Sequence, residues 1–396
     1  MPSPGPSRVR GALAALLLLA PAAARAAPSP VLWSAALGVP IQTPPRATAG
    51  RVVVASAQAR GANLFALDPA SGAVLWRRAT GGPIQTRPAV AGGQVFVTFD
   101  TGALHHLRAL AAGDGAQLWD YLRHQPPQCM CSYQASARAG LLFTRTDGHS
   151  LYAFRPAGAQ PARRLWRFAG DGTRLTRPAV AGDIVVLGSA GHHLYARDAA
   201  TGAAIWTARA GHGFLARPRI AGGTVLAADR GGTVHAWALR SGRALWSFAA
   251  AGPIEAAPVL AAGRVIVAGA REVAALGPRH GRPRWRLPLP GRVAGAPLVE
   301  GTTLILAGGD GVLRAVSART GRRLWQAPLG GVPRSGPRRL GRAVVVTVGD
   351  HALAAFAATT GAPLWRFRSR AVLTAPAVAG DIALVGTSAG RVVALR

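Results

Sequence analysis

The 396-residue sequence predicts an all-β fold built from one four-stranded unit repeated around a ring. Three observations lead there. The chain holds 50 Gly and 30 Pro while 49% of it is hydrophobic, which suits a turn-rich protein with a sizeable core and not a disordered one. Trp recurs at 33, 76, 119, 166, 206, 246, 285, 325 and 365, in steps of 39 to 47 residues. Between these Trp, short apolar alternations are bounded by Gly and Asp, the signature of strands. Periods near 40 residues with Gly-bearing turns are those of propeller blades.

The first 26 residues read as an export signal. Arg8 and Arg10 precede an apolar run from Gly11 to Ala20, and Ala24-Arg25-Ala26 is a small-x-small cleavage site. The run is too short to span a bilayer, and no later stretch approaches the ~20 apolar residues of a transmembrane helix. No Cys follows the cleavage site, so a lipid anchor is not expected. The mature chain, 27–396, then forms a single domain of repeats.

That domain opens with a lone outer strand, Val31-Leu-Trp33, and each later unit divides into four strands. The innermost carries a Pro-x-Val pattern and ends at a turn such as Ala91-Gly92-Gly93. The second is β-branched, as in Gln94 to Thr98 or Arg342 to Thr347. A Gly/Asp turn such as Asp310-Gly311 leads to a third strand, as in Asn63 to Leu67, and the fourth carries the Trp. One indole per unit can seal the wedge between neighbouring blades, since it buries on the order of 200 Å2. A Gly stands four residues before most of these Trp, for example Gly72, Gly202 and Gly361, where a turn of positive φ is expected. The chain stops at Gly390 to Arg396, the third strand of a unit. Pairing it with Val31 to Trp33 completes a blade from both termini and removes two open edges. The count is then nine blades, with eight as the alternative, since propellers typically have four to eight.

The pattern Asp-x-x-(Thr/Ser)-Gly-x-x-x-Trp, as at Asp68 to Trp76 and Asp198 to Trp206, resembles the tryptophan-docking repeat of the PQQ-like β-propellers. That superfamily includes quinoprotein dehydrogenases and the outer-membrane assembly factor BamB. The resemblance spans the mature chain. It weakens before Trp166, where Ala162 replaces the turn Gly, and at Pro278 to Gly281. For a dehydrogenase it implies PQQ held with calcium by Glu and Asn, an Asp base and adjacent cysteines. Here the only Asn is Asn63, and the only glutamates are Glu255, Glu272 and Glu300, in three blades. No cofactor, PQQ included, and no catalytic residue are therefore expected. Likeness to BamB implies a non-enzymatic scaffold in the periplasm or cell envelope of a bacterium. Its partners would be envelope proteins, a β-barrel assembly machinery among them, with this chain a monomer within a larger complex. The competing readings are a PQQ-dependent dehydrogenase and a ligand- or polysaccharide-binding sensor, with secretion as the alternative location.

The 46 basic residues face 15 acidic ones and are all Arg. They are spread over the whole chain and accompany Ala, Gly and Pro, as in a GC-rich coding sequence, so the +31 charge carries little functional information. With no nucleic-acid motif, no nucleic-acid partner is expected. Asp100, Asp147, Asp229, Asp310 and Asp350 recur at the turn after the second strand, where bonds to local backbone account for them. His105, His192 and His351 share one place in their units, followed by His106 and His193. They lie in separate blades and are not expected to converge on a metal.

Cys129-Met130-Cys131, with His124 nearby, has several readings: a Cys-x-Cys disulfide, buried thiols, pairing with another protein, or a soft-metal or redox site. One constellation remains. The positions one and three before the Pro of each inner strand hold Gln42, Gln85, Arg87, Arg177, Arg217, Glu255 and Arg334, with Gln134 in a degenerate unit. They share one side and are expected at the mouth of the central channel. Four Arg against one Glu suit an anion or an acidic loop; the competing reading is strand ends wetted by channel water.

Overall fold

The structure is a computed structural model that describes residues 30–48, 50–124, 136–138, 140–145, 149–157, 160–254 and 256–396. The expected export signal at 1–26, Cys129, Cys131, Gln134, Asp147 and Glu255 lie outside these residues.

Nine four-stranded antiparallel sheets form the ring of a β-propeller. The first blade comprises Arg46–Thr48, Arg51–Ala55, Leu64–Leu67 and Val74–Arg78, from channel to rim. The next seven occupy 89–124, 136–168, 179–209, 219–249, 259–288, 298–328 and 338–368. The ninth joins the two ends of the chain: Ala377–Ala379, Ile382–Gly386 and Arg391–Leu395 are completed by Val31–Ala36. In that seam Val31 faces Leu395, Ser34 faces Val393 and Ala36 faces Arg391. The Arg396 amide donates to the Pro30 carbonyl at 2.8 Å and the Leu37 amide to that of Gly390 at 2.8 Å. The count is nine, so the eight-blade alternative is set aside. No helix among the described residues is long and apolar enough to cross a membrane.

The core lies between blades. Val53, Ala55 and Leu64 of the first blade pack with Val95, Val97 and Phe99 of the second, and the same sharing recurs around the ring. The inner strands are three residues each, and that of the first blade touches those of the second and the ninth. Their leading loops therefore gather around one axis.

The Trp of each blade docks on the blade that follows. Trp33 Nε1 donates to the Pro69 carbonyl at 3.0 Å, Trp76 to Ala112 at 3.0 Å and Trp206 to Leu239 at 2.7 Å. Trp166, Trp246, Trp285 and Trp325 make the equivalent bond. Each of these indoles lies flat on the turn Gly of the next blade. At Gly242, where φ is +68°, a Cβ would stand 2.6 Å from Trp206 Cγ. The Gly thus serves its own turn and the neighbour's Trp together. Trp119 and Trp365 pack against the third and ninth blades.

A bulge aims these indoles. In all nine outer strands the register slips at the residue before the Trp: Leu32, Leu75, Leu118, Leu165, Ile205, Leu245, Arg284, Leu324 and Leu364 have no partner in the ladder. A bulge bends a strand and re-aims the neighbouring side chain, here across the wedge. In the Asp68 turn, Asp68 Oδ1 accepts from the amides of Ala70 and Ser71 and from Ser71 Oγ. Asp198 repeats this with Ala200 and Thr201, and these bonds hold both carboxyls below their ordinary pKa.

Candidate functional site

The loops leading into the inner strands of the first, second, fourth and fifth blades, with the second strand of the third, enclose a cavity of about 510 Å3. Gln42, Gln85, Arg87, Arg177 and Arg217 line it together, with Arg145, Arg174, Leu175, Phe214 and Leu215. A second cavity of about 370 Å3 shares Gln42 and Pro44 with the first and is lined further on by Arg334, Ser335 and Thr347. Among the described residues neither lining includes a carboxylate.

The arginines differ in what they already hold. Arg87 donates through Nε and Nη2 to the Pro45 carbonyl at 3.1 and 2.7 Å, tying the second blade to the loop ahead of the first. Burial, then repulsion from Arg46, Arg338 and Arg177, lowers its pKa to about 10. Arg334 is paired with Asp350. Arg145 is only 7% exposed. Its Nη1 donates to the Leu175 carbonyl, while its Nε is buried without a partner among the described residues. Burial, then Arg174 and Arg177, lowers its pKa to about 10; Arg177 is lowered by burial and then by Arg46. All remain cations at neutral pH. The mouth is therefore a set of like charges held against their mutual repulsion.

Arg46, Arg145, Arg174 and Arg338 were not in the sequence-derived set. That set took only positions one and three before each Pro, whereas Arg174 stands four before Pro178. Arg145 ends the second strand of its blade, opposite Leu151. The same register position holds Ala55, Thr98, Gly188, Ala228, Ala268, Ala307, Thr347 and Gly386 elsewhere. A register alignment of the units would have singled out a long cation where its counterparts are small.

The other polar groups are spent locally. Asp171 Oδ2 accepts from Ser189 Oγ at 2.6 Å and faces His193 Nδ1 at 3.0 Å. The serine hydroxyl is turned to the carboxylate and not to the imidazole, so this is no nucleophile–base pair. His105 faces Asp100 at 2.7 Å, His106 faces Asp120 at 3.0 Å, and His235 faces Asp229 at 2.9 Å. Each His thus answers to a carboxylate of its own blade. Among the described residues no three His, Cys, Asp or Glu are arranged to hold a metal.

The donor set does not fit a calcium-held quinone. Calcium takes about 6–8 oxygen ligands, and the described cavity lining is arginine-rich without a carboxylate. Asn63 is fully committed: its Nδ2 donates to the carbonyls of Gln58 and Gly82, and its Oδ1 accepts from the Thr80 amide and hydroxyl. Glu272 accepts from the Ala251 amide, and Glu300 pairs with Arg339.

No curated protein matches the chain. Among solved structures, BamB from Moraxella catarrhalis is similar at a TM-score of 0.55 and 16% identity, covering 92% of this chain and 97% of that one. The computationally designed Ika8 protein is similar at a TM-score of 0.62 and 16% identity, covering 78% and 94%. These likenesses show the fold. The family model described as outer membrane protein assembly factor BamB matches residues 23–162, 157–257, 230–339 and 334–396. With the Trp-docked repeats it matches laid out as nine blades, the chain belongs to the BamB family of PQQ-repeat propellers.

Proposed function

We propose that the protein is a non-enzymatic scaffold of the bacterial cell envelope, exported by its first 26 residues, that assists outer-membrane protein assembly by holding a partner over its channel mouth. Family membership supports the role. The observation that carries the docking face is the arginine-rich mouth without a described carboxylate, which suits an acidic segment. Its loops are held by a rigid ring, as binding loops generally are.

Capture from envelope extract tests the reading. A component of the β-barrel assembly machinery should be retained and identified. The double variant Arg177→Gln, Arg217→Gln should slow its association at low salt, and the difference should shrink near physiological ionic strength, where screening acts over ~8 Å. Retention of no assembly component, or capture by the variant as fast as by the parent at low salt, overturns the proposal. Added PQQ and calcium should produce no alcohol or sugar dehydrogenase activity. Stoichiometric quinone uptake with dye reduction would instead favour the enzyme reading.

A further inference from the structure

Five arginines line the cavity at the mouth: Arg87, Arg145, Arg174, Arg177 and Arg217. Arg145 reaches it from the third blade, Arg174 and Arg177 from the loop ahead of the fourth, and Arg87 from the second. Arg46, on the inner strand of the first, lies close enough to disfavour the charge on both Arg87 and Arg177. Desolvating a guanidinium is costly unless its donors are met by an acceptor or a counter-charge. Here the Arg145 Nε is buried with no acceptor among the described residues, at 7% exposure for the residue, and the Nε of the half-buried Arg46 also lacks one. No described carboxylate lines the space.

We infer that this cavity binds a small organic phosphate, its phosphoryl oxygens seated between Arg145, Arg174 and Arg177. Guanidinium forks form paired hydrogen bonds with phosphate oxygens. Cations arriving from different loops suit a tetrahedral dianion better than one planar carboxylate. At about 510 Å3 the space exceeds a lone phosphate and falls in the range of small-molecule sites. Leu175, Phe214 and Leu215 give it an apolar wall for the body of the ligand. The inference concerns the protein alone and stands whether or not an envelope partner docks above.

Inorganic pyrophosphate is the probe, titrated calorimetrically into the purified protein at about 0.15 M salt. One saturable site with Kd below ~1 mM is expected. Arg145→Gln and Arg177→Gln should each weaken it at least ~10-fold, the loss of a charge-assisted bond. Arg243→Gln and Arg322→Gln remove the same charge from exposed positions between third and outer strands, so they should change Kd less than ~2-fold if the site, and not the net charge, binds the anion. Arg177 stands in the loop ahead of the fourth blade, outside every strand, so that variant decides the question even if Arg145→Gln fails to fold. Absence of saturable heat, or equal weakening by the control variants, overturns the inference. So does a poly-glutamate peptide that binds while pyrophosphate neither binds nor competes. Loss of pyrophosphate binding with intact partner capture refutes this site and leaves the scaffold standing; the reverse outcome refutes only the scaffold.

Discussion

At the residue scale the indole and the glycine beneath it are one device. Trp206 is 9% exposed, bonded to the Leu239 carbonyl and seated on Gly242. Trp206→Ala should cost about 3–5 kcal/mol in chemical denaturation, the usual penalty for an emptied aromatic site. Gly242→Ala should also destabilise, by more than about 1 kcal/mol, because the new Cβ meets the indole and the left-handed backbone disfavours it. An equal midpoint for Gly242→Ala and parent would show that the indole yields freely. Asn63 makes a different argument. As the sole Asn of the chain it was too little for a calcium cage, and all its polar atoms serve a turn, so its loss removes structure and not chemistry.

At the element scale, the bulge before each Trp aims the outer strand, and a polar tie fixes the loop ahead of the fourth blade. Asp171 anchors the loop ahead of the fourth blade to that blade's second-to-third-strand turn through Ser189 and His193, while Thr173 of its own loop donates to it and accepts from the Gly191 amide of the turn. Burial alone would raise its pKa, but these hydrogen bonds outweigh it and hold the carboxyl well below its ordinary range. A depressed carboxyl pKa means the unfolded chain takes up the proton first, so stability is lost as pH falls. The contribution should be complete above about pH 4 and fade below it. Asp171→Asn should therefore cost about 1–3 kcal/mol at neutral pH, and the gap to the parent should close on acidification. Melts across pH 2–7 check this; a gap that widens towards acid refutes the assignment.

At the scale of the whole molecule, closure is what makes nine marginal sheets one body. The seam between Val31–Ala36 and Arg391–Leu395 is the sole blade drawn from both ends of the chain. Deleting Arg391 to Arg396 should expose the Ile382–Gly386 strand as an edge and open the apolar cluster of Val385, Leu353 and Trp365. The truncated protein should bind a hydrophobic dye and associate in sedimentation; a monomer with the parent's melting profile would show that the ring does not need its seam. The +31 charge behaves oppositely at this scale: spread over the surface it discriminates little, and only its concentration at the mouth says where an anion would go.

The repeat, the four-strand unit and the closure by both termini were legible along the chain, which favoured nine blades and left eight open until the sheets were seen. These rest on local turn chemistry and on a period written into the Trp positions, and a period survives any ignorance of packing. The sequence also picked out Gln42, Gln85, Arg87, Arg177 and Arg217 as neighbours, because one register places them on one side of equivalent strands. That each Trp serves the next blade emerged from the packing in space, since docking runs between units and a repeat alone does not say which neighbour is met. The tertiary structure alone brought Arg145 and Arg174 to the mouth, from a strand end and a mid-loop position in different blades. And it alone separated arginines already committed to Pro45 or Asp350 from those left facing one another. Partner choice among like charges depends on distance and burial, which no spacing along the chain records.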